Sequence, residues 1–136
     1  MFTKVITKPL EIELQDIAAR YGFAPKIQRV DGEIVQMDSV KGQCLADIYT
    51  DDPTLIPDAI WVKIEHMLSA LFEREGIEYV DITSYNFMED EDGKIWIIDF
   101  GDAYYTWEEK GAPAANWFLR SVLAGESGKA WNPDFA

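Results

Sequence analysis

A β-hairpin signal with polar side chains at both ends constrains this chain more than any other feature. Asp92-Gly93 is a favoured two-residue hairpin loop, and the apolar run 95–98 follows it closely. With this loop, Asn86 on the first strand is expected directly opposite Asp99 at the end of the second strand. Directly opposed side chains share one face of a hairpin, with Cβ atoms about 5 Å apart. The sequence therefore predicts that Asn86 and Asp99 meet.

Three polar side chains around this hairpin carry oxygen atoms suited to a hard cation. Asn86 and Asp99 form the predicted pair, and Asp81 precedes Asn86 in a loop that enters the hairpin. Amide and carboxylate oxygens are ligands that Mg²⁺ and Ca²⁺ prefer. Taken singly, each residue could belong to a loop, a turn or a strand end, but those roles do not explain the spacing of the three. We therefore predict a site that holds metal and phosphate.

A calcium-binding EF-hand loop is an alternative interpretation of the same segment. Several residues fall at positions that such a loop uses, namely Asp90, Asp92, Gly93, Ile95 and Asp99. Its first ligand position would be Met88, which cannot coordinate calcium, and a strand pattern follows where the second helix should begin. The hairpin interpretation is favoured for these two reasons.

Two short segments resemble the signature motifs of the protein kinase superfamily. Residues 81–86, Asp-Ile-Thr-Ser-Tyr-Asn, resemble its catalytic loop, with aspartate and asparagine at the family's spacing. Residues 98–101, Ile-Asp-Phe-Gly, resemble its metal-binding D-F-G motif. The two segments occur in the family's order with a short hairpin between them. The resemblance extends over residues 3–106.

The resemblance implies an α+β fold of the protein-kinase-like type. We expect a single domain over 1–136, in which a truncated N-lobe remnant (1–38) contains a few antiparallel strands plus one helix. A reduced helical C-lobe (39–136) would carry the β-hairpin. Relative to the family pattern, the glycine-rich loop and most of the helical substrate-binding half are expected to be missing. Such a minimal, atypical member would be similar to small kinase-like proteins found in viral genomes.

The resemblance also implies roles for individual residues. Asp81 would be the catalytic residue that accepts the proton of the acceptor hydroxyl, while Asn86 and Asp99 would hold Mg²⁺ against the phosphates of ATP. Tyr79 stands where the family has a histidine, and Val80 where it has an arginine.

Three further residues are expected to bind the nucleotide if the resemblance holds. Glu11, in the first turn of a helix, would pair with a lysine that contacts the phosphates. Lys4 is the best match for that lysine and Lys8 the second. Met37 would begin the connector between the lobes, whose backbone holds the adenine edge in that family. A strand followed by a polar loop is an equally weighted alternative for the connector.

Apolar periodicity predicts three helices. The first covers 9–21, where Pro9 suits the first turn and Gly22 suits a C-terminal cap. The second is an amphipathic helix that ends near Glu75-Gly76, and the third begins at Pro113.

The remaining segments are predicted as strands and a tail. A short strand is expected over 2–6, and a second hairpin joins 27–30 to 34–37 around Asp31-Gly32. The C-terminal tail carries Trp131 and Phe135, which are expected to pack back onto the core.

Composition excludes several classes of protein. A net charge of −13 without a basic cluster argues against binding to nucleic acid or to an anionic membrane. No apolar run reaches the roughly 18 residues of a membrane span, and the N-terminus does not have the pattern of a signal peptide. Cys44 is the only cysteine, so an internal disulfide is excluded. We expect a cytoplasmic protein, in the host cytoplasm if its source is viral.

Two functions from different classes are consistent with the sequence. One is an ATP- and Mg²⁺-dependent phosphotransferase similar to Ser/Thr kinases, acting on a protein or small-molecule hydroxyl. The other is an inactive pseudokinase that serves as a nucleotide-binding, structural or protein-interaction module. The intact Asp81, Asn86 and Asp99 favour the first, and the departures from the family pattern favour the second. The first implies nucleotide as a ligand, whereas the second does so only as a nucleotide-binding module, and both leave open a protein partner or substrate.

Overall fold

The computed structural model describes residues 1–108 and 129–132. Over these ranges the chain forms short antiparallel strands and three α-helices. In chain order the elements are β1 (Phe2–Val5), α1 (Pro9–Arg20), β2 (Ile27–Asp31), β3 (Ile34–Met37), β4 (Gly42–Cys44), α2 (Leu45–Tyr49), a 3₁₀ turn (Pro53–Leu55), α3 (Asp58–Glu75), β5 (Ile77–Glu78), β6 (Phe87–Asp90), β7 (Ile95–Ile97) and β8 (Tyr104–Tyr105). None of the helices within these ranges is long and apolar enough to cross a membrane.

The N-terminal sheet has the strand order β1-β3-β2, and all its pairs are antiparallel. Val35 and Met37 lie on its buried face, where they pack with Ile6 and with Ile12 of α1. The predicted hairpin between β2 and β3 is confirmed, but its loop is shifted by one residue. Asp31 belongs to the ladder, and Gly32 begins the loop with a φ of 62°, a conformation that glycine adopts without strain.

Helix α1 begins at Pro9, because proline at the first turn sacrifices no intrahelical hydrogen bond. It ends at Arg20, and Gly22 follows in the left-handed region with a φ of 78°, which confirms the predicted cap. The buried Gln15 attaches the helix to the sheet. Its Nε2 donates to the carbonyl of Pro25 at 2.9 Å and lies 3.3 Å from the Met37 sulfur.

Helix α3 supplies much of the main core. Its apolar stripe is buried, including Ile64, Leu68 and Leu71 at 0% exposure. The helix ends where predicted, because Gly76 adopts a left-handed φ of 65° and its N–H bonds back to Phe72.

The second sheet, β4-β6-β7, contains the hairpin on which the site prediction depended. Phe87 faces Ile97, and the Asp90 N–H bonds to the Lys94 carbonyl at 2.9 Å. The loop therefore has three residues, 91–93, rather than two. The Asp90 side chain favours this longer loop, because its Oδ1 accepts hydrogen bonds of 2.9 Å from the backbone N–H groups of Asp92 and Lys94.

This three-residue loop shifts the register by one residue from the prediction. Asn86 now faces Ile98, whose N–H bonds to the Asn86 carbonyl at 3.0 Å. The prediction that Asn86 directly opposes Asp99 is therefore wrong. The EF-hand alternative is wrong as well, because β7 stands where a helix should begin.

The end of the described chain returns to the core. Trp131 is 6% exposed, and its ring lies 4.8 Å from that of Trp61 on α3, measured between centroids. This confirms that Trp131 packs inward. Phe135 and the helix predicted from Pro113 lie outside the described residues. The division of the chain at residue 38 stays a prediction.

Candidate active site

A cavity of about 530 Å³ lies between the N-terminal sheet and the β6–β7 hairpin. Four of the six predicted site residues line it: Lys4, Met37, Asn86 and Asp99. Lys4 comes from β1 and Met37 from the end of β3, while Asn86 and Asp99 flank the hairpin. The structure thus brings these residues to one cavity although the predicted cross-strand pairing of Asn86 with Asp99 does not occur.

The remaining wall of this cavity is mostly apolar. Met37 begins it, and residues 38–40 of the connector continue it. The other contributions come from Phe2, Pro25, Tyr85, Met88 and Ile98. A cavity lined by apolar side chains with a few polar groups among them suits a planar ring system joined to a charged tail.

A second, more open cavity of about 610 Å³ lies between helix α3 and the tip of the hairpin. Tyr21, Phe23, His66 and Lys94 are among its lining residues, and none of the predicted site residues lines it. We assign the candidate site to the first cavity, because Lys4, Asn86 and Asp99, which the resemblance assigns to phosphate and metal, occur there.

Lys4 connects the strand, the helix and the D-F-G segment. Its Nζ lies 2.9 Å from Glu11 Oε2 and 3.7 Å from Asp99 Oδ1. Glu11 is buried at 8% exposure, so this ion pair is sheltered from water. Gly101 packs against both carboxylates, since a Cβ there would lie 3.1 Å from Asp99 Oδ1 and 3.3 Å from Glu11 Oε1. Gly101 thus lets the backbone approach both carboxylates closely.

Lys8, the second candidate for the phosphate lysine, makes a different contact. Its Nζ donates to the backbone carbonyl of Gly101 at 3.1 Å, and the side chain is exposed. Lys8 is also absent from the residues that line the cavity. The geometry therefore favours Lys4 over Lys8, although the phosphate-binding role itself stays a prediction.

Asp81 lies next to the cavity, in the loop before β6. Asn86 Nδ2 donates to the Asp81 backbone carbonyl at 2.9 Å and so fixes the distance between the two residues. Burial raises the pKa of the Asp81 carboxyl, and the nearby charges of Asp102 and Asp99 raise it further, while a hydrogen bond from Asn86 opposes the shift. A carboxylate with raised proton affinity is suited to accept a proton.

Tyr79 holds the backbone of the D-F-G segment. Its hydroxyl donates a hydrogen bond of 2.5 Å to the Asp99 backbone carbonyl. The ring is fully enclosed and meets Phe87 and Phe100 edge to face. Burial raises the Tyr79 pKa well above its ordinary value, so the hydroxyl keeps its proton and remains a donor. The sequence had marked Tyr79 only as a departure from the family's histidine.

Asp102 was missed in the sequence. It lies close enough to Asp81 to raise the pKa of that carboxyl by both charge and hydrogen bonding. The only sequence signal was a second aspartate directly after Asp99-Phe100-Gly101.

Asn86 and Asp99 are the side chains that could hold a metal. The Asn86 amide nitrogen is engaged by the Asp81 carbonyl, which leaves Oδ1 as its ligand atom. Within 1–108 and 129–132, no three His, Cys, Asp or Glu side chains form a metal-binding group. These donors fit Mg²⁺, which usually takes one or two protein ligands and completes its shell with phosphate oxygens and water.

Residues 5–121 match the family profile of the RIO domain. This match covers most of the 136 residues. The chain belongs to the RIO domain family. RIO domains are atypical protein kinases, so the predicted membership of the protein kinase superfamily is confirmed.

Curated relatives of this RIO domain chain come from Xylella fastidiosa and are named 3-deoxy-D-manno-octulosonic acid kinase. The protein of strain M23 is 35% identical over 73 residues, which is 46% of this chain and 26% of that protein. The protein of strain 9a5c is 34% identical over 65 residues, or 46% and 22% of the two chains. The chain therefore spans about a quarter of the length of these relatives.

A solved structure supports the fold of this RIO domain chain. The Rv3197 protein of Mycobacterium tuberculosis, solved as a complex with erythromycin, superposes with a TM-score of 0.58 at 24% identity. The match covers 71% of this chain and 26% of that one. It confirms the predicted kinase-like α+β fold. These relatives are bacterial, and nothing in them supports the predicted viral source.

Proposed function

We propose that this RIO domain chain is an ATP- and Mg²⁺-dependent phosphotransferase that acts on a hydroxyl group. The observation that carries the proposal is the convergence of Lys4, Asn86 and Asp99 on one cavity, with Asp81 beside it. Family membership supplies the reaction class. The side-chain geometry supplies the groups that such a reaction needs, which are a cation for phosphate, two oxygen ligands for metal and a base.

The nucleotide would lie with its base in the apolar part of the cavity, beside Met37 and the connector 38–40. Its phosphates would extend toward Lys4, whose ammonium group already lies between Glu11 and Asp99. A lysine held by a buried carboxylate is pre-oriented, so little side-chain entropy is lost when the phosphate binds.

Mg²⁺ would be held by Asn86 and Asp99, and it would neutralise charge on the phosphates during transfer. The net charge of −13 makes this contribution important, because a nucleotide polyanion would otherwise be repelled by the carboxylates around the site. Gly101 assists, since its backbone N–H donates to Asp99 Oδ1 at 2.8 Å and fixes the orientation of that carboxylate.

Asp81 would serve as the base. In the transfer, a bond forms between the acceptor oxygen and the γ-phosphorus, and the bond from that phosphorus to the β–γ bridging oxygen breaks. The hydroxyl proton passes to the Asp81 carboxylate, and ADP leaves. The raised pKa of Asp81 matches this role, because a stronger base takes the proton more readily as the new bond forms.

The class of acceptor is either a protein Ser/Thr hydroxyl or a small-molecule hydroxyl. The name of the Xylella relatives refers to a sugar acid, which supports a small carbohydrate acceptor for this chain. We propose the hydroxyl of a carbohydrate as the first acceptor to test and Ser/Thr of the chain itself as the second.

The test is transfer of radiolabelled γ-phosphate from Mg-ATP, to the protein itself and to a panel of sugars and sugar acids. Wild type should transfer label, and Asp81→Asn should lower the rate by about 10²- to 10⁴-fold. Asp92→Asn is the matched control, because Asp92 is exposed in the hairpin loop. Equal rates in wild type and Asp81→Asn would refute the base assignment. Nucleotide binding without any transfer would support the inactive nucleotide-binding module instead.

A further inference from the structure

We propose that Asn132 is a positioning residue that clamps the catalytic loop on both sides of Asp81. Its Nδ2 donates to the Val80 carbonyl at 2.7 Å, and its backbone N–H donates to the Ile82 carbonyl at 2.9 Å. The residue is 5% exposed. One residue, distant in sequence, therefore holds the backbone carbonyls of the two residues that flank the proposed base. This inference rests on the proposed function.

The loop depends on such external contacts because its internal hydrogen bonds are short-range. Ile82 N–H bonds to the Val80 carbonyl and Thr83 N–H to the Asp81 carbonyl, each only two residues away. Bonds of this span fix local turns but do not fix the loop relative to the rest of the molecule. The Asn132 bonds join it instead to the segment 129–132.

That segment is itself anchored. The Trp131 ring packs on Trp61 of α3, and its Nε1 donates to the backbone carbonyl of Asp51 at 3.2 Å. The Asp51 carboxylate in turn accepts a hydrogen bond of 2.7 Å from Ser84 Oγ. Ser84 lies further along the catalytic loop, so the loop is held at two places by one connected set of contacts.

The clamp would act on the rate of transfer rather than on nucleotide binding. The two hydrogen bonds that Asn132 makes to the loop go to backbone carbonyls, and Asn132 does not line the cavity. Displacing a base by about 1 Å can lower a rate by about 100-fold because proton transfer depends on alignment. Losing the clamp should therefore lower kcat with little change in KM for Mg-ATP.

The decisive variant is Asn132→Asp, which keeps the shape and the backbone N–H but presents a carboxylate to the Val80 carbonyl. We expect kcat to fall about tenfold or more at neutral pH, with KM for Mg-ATP within about twofold of wild type. Relative to wild type at the same pH, the deficit should shrink as the pH falls, because the new carboxyl can donate again once it binds a proton. Lys129→Ala, in the same segment, is the control, since Lys129 pairs with the exposed Asp58.

Hydrogen exchange at the Ile82 and Thr83 amides separates this inference from the proposed function. Exchange should quicken in Asn132→Asp and stay unchanged in Lys129→Ala. If wild type transfers no phosphate, the proposed function fails, and exchange alone decides the clamp. Unchanged exchange overturns the clamp, as does a loss of kcat that is equal at every pH. If Asn132→Asp does not fold, Asn132→Ser replaces it, because a serine hydroxyl is too short to reach the Val80 carbonyl. Unaltered kcat and unaltered hydrogen exchange in Asn132→Ser would also overturn the clamp.

Discussion

The ammonium nitrogen of Lys4 lies 2.9 Å from Glu11 Oε2, so an ion pair joins strand β1 to helix α1. The Lys4 side chain is one-quarter exposed and that of Glu11 one-tenth exposed. Because the pair is sheltered, salt screens it less than a surface pair. The same ammonium lies 3.7 Å from Asp99, so the pair also directs Lys4 to the carboxylate that we assign to Mg²⁺.

Replacing Lys4 should therefore weaken nucleotide binding more than replacing its neighbour Lys8. We expect Lys4→Met to lower the affinity for Mg-ATP by about tenfold, which corresponds to one lost charge-assisted hydrogen bond. Lys8→Met should change it by less than about threefold, since Lys8 is exposed and its ammonium group donates to a backbone carbonyl. Isothermal titration calorimetry measures both, and equal losses would show that Lys4 has no special role.

Tyr79→Phe should destabilise the fold by about 1–3 kcal/mol, because the Asp99 carbonyl loses its buried donor. Urea denaturation measures the change in the free energy of unfolding. Tyr85→Phe is the control, since the Tyr85 side chain is 59% exposed. A Tyr79→Phe protein as stable as the control would mean that the 2.5 Å hydrogen bond contributes nothing.

Asp81 should make stability depend on pH. Because its pKa is raised in the folded protein, the folded state binds this proton more tightly than the unfolded state. The resulting stabilisation is present below the ordinary carboxyl pKa and is lost as pH rises through the raised value. Asp81→Asn should therefore be more stable than wild type at pH 7, and this difference should disappear below about pH 4.

Thermal unfolding of the two proteins between pH 3 and 8 tests this prediction. A gain that is the same at every pH would contradict it, as would a less stable Asp81→Asn protein at pH 7. Either result would mean that burying the charged Asp81 carboxylate does not lower the free energy of unfolding.

Gly76 and Gly32 form a matched pair that tests how closely Trp107 packs against Gly76. Both have left-handed φ values, of 65° and 62°, so alanine at either position should cost about 1–2 kcal/mol in backbone strain. A Cβ at Gly76 would also lie 2.4 Å from Trp107 Cζ3, whereas nothing lies within 4 Å at Gly32. Gly76→Ala should therefore be the more destabilising change in urea denaturation.

The excess cost of Gly76→Ala should shrink when Trp107 is also replaced by alanine, because the double variant removes the clash but not the strain. Equal costs of Gly76→Ala and Gly32→Ala would contradict the contact between Gly76 and Trp107.

Local sequence signals were sufficient for most elements. Pro9 and Gly22 marked the ends of α1, and Gly76 marked the end of α3, because the conformational preferences of proline and glycine are set by their own covalent structure. The motif residues Asn86 and Asp99 were likewise recognisable, since their spacing along the chain is fixed by the chemistry they are expected to perform.

Other features could not be predicted, because they depend on contacts that no local pattern encodes. The hairpin register was off by one residue, since the Asp90 side chain captures two N–H groups and favours a longer loop. Asp102 and Asn132 were missed because folding alone brings them to Asp81. In the case of Asn132, the two partners are 52 residues apart in the chain.

The proposed function depends on Asp99, which would hold Mg²⁺ against a nucleotide in the cavity beside Lys4. Calorimetric titration of ATP, with Mg²⁺ and with EDTA, into wild type and Asp99→Asn tests it most directly. We predict that Mg²⁺ strengthens ATP binding to wild type by about tenfold or more and that this gain is lost in Asp99→Asn. Binding of equal strength with Mg²⁺ and with EDTA in wild type, or an undiminished gain in Asp99→Asn, would contradict the account.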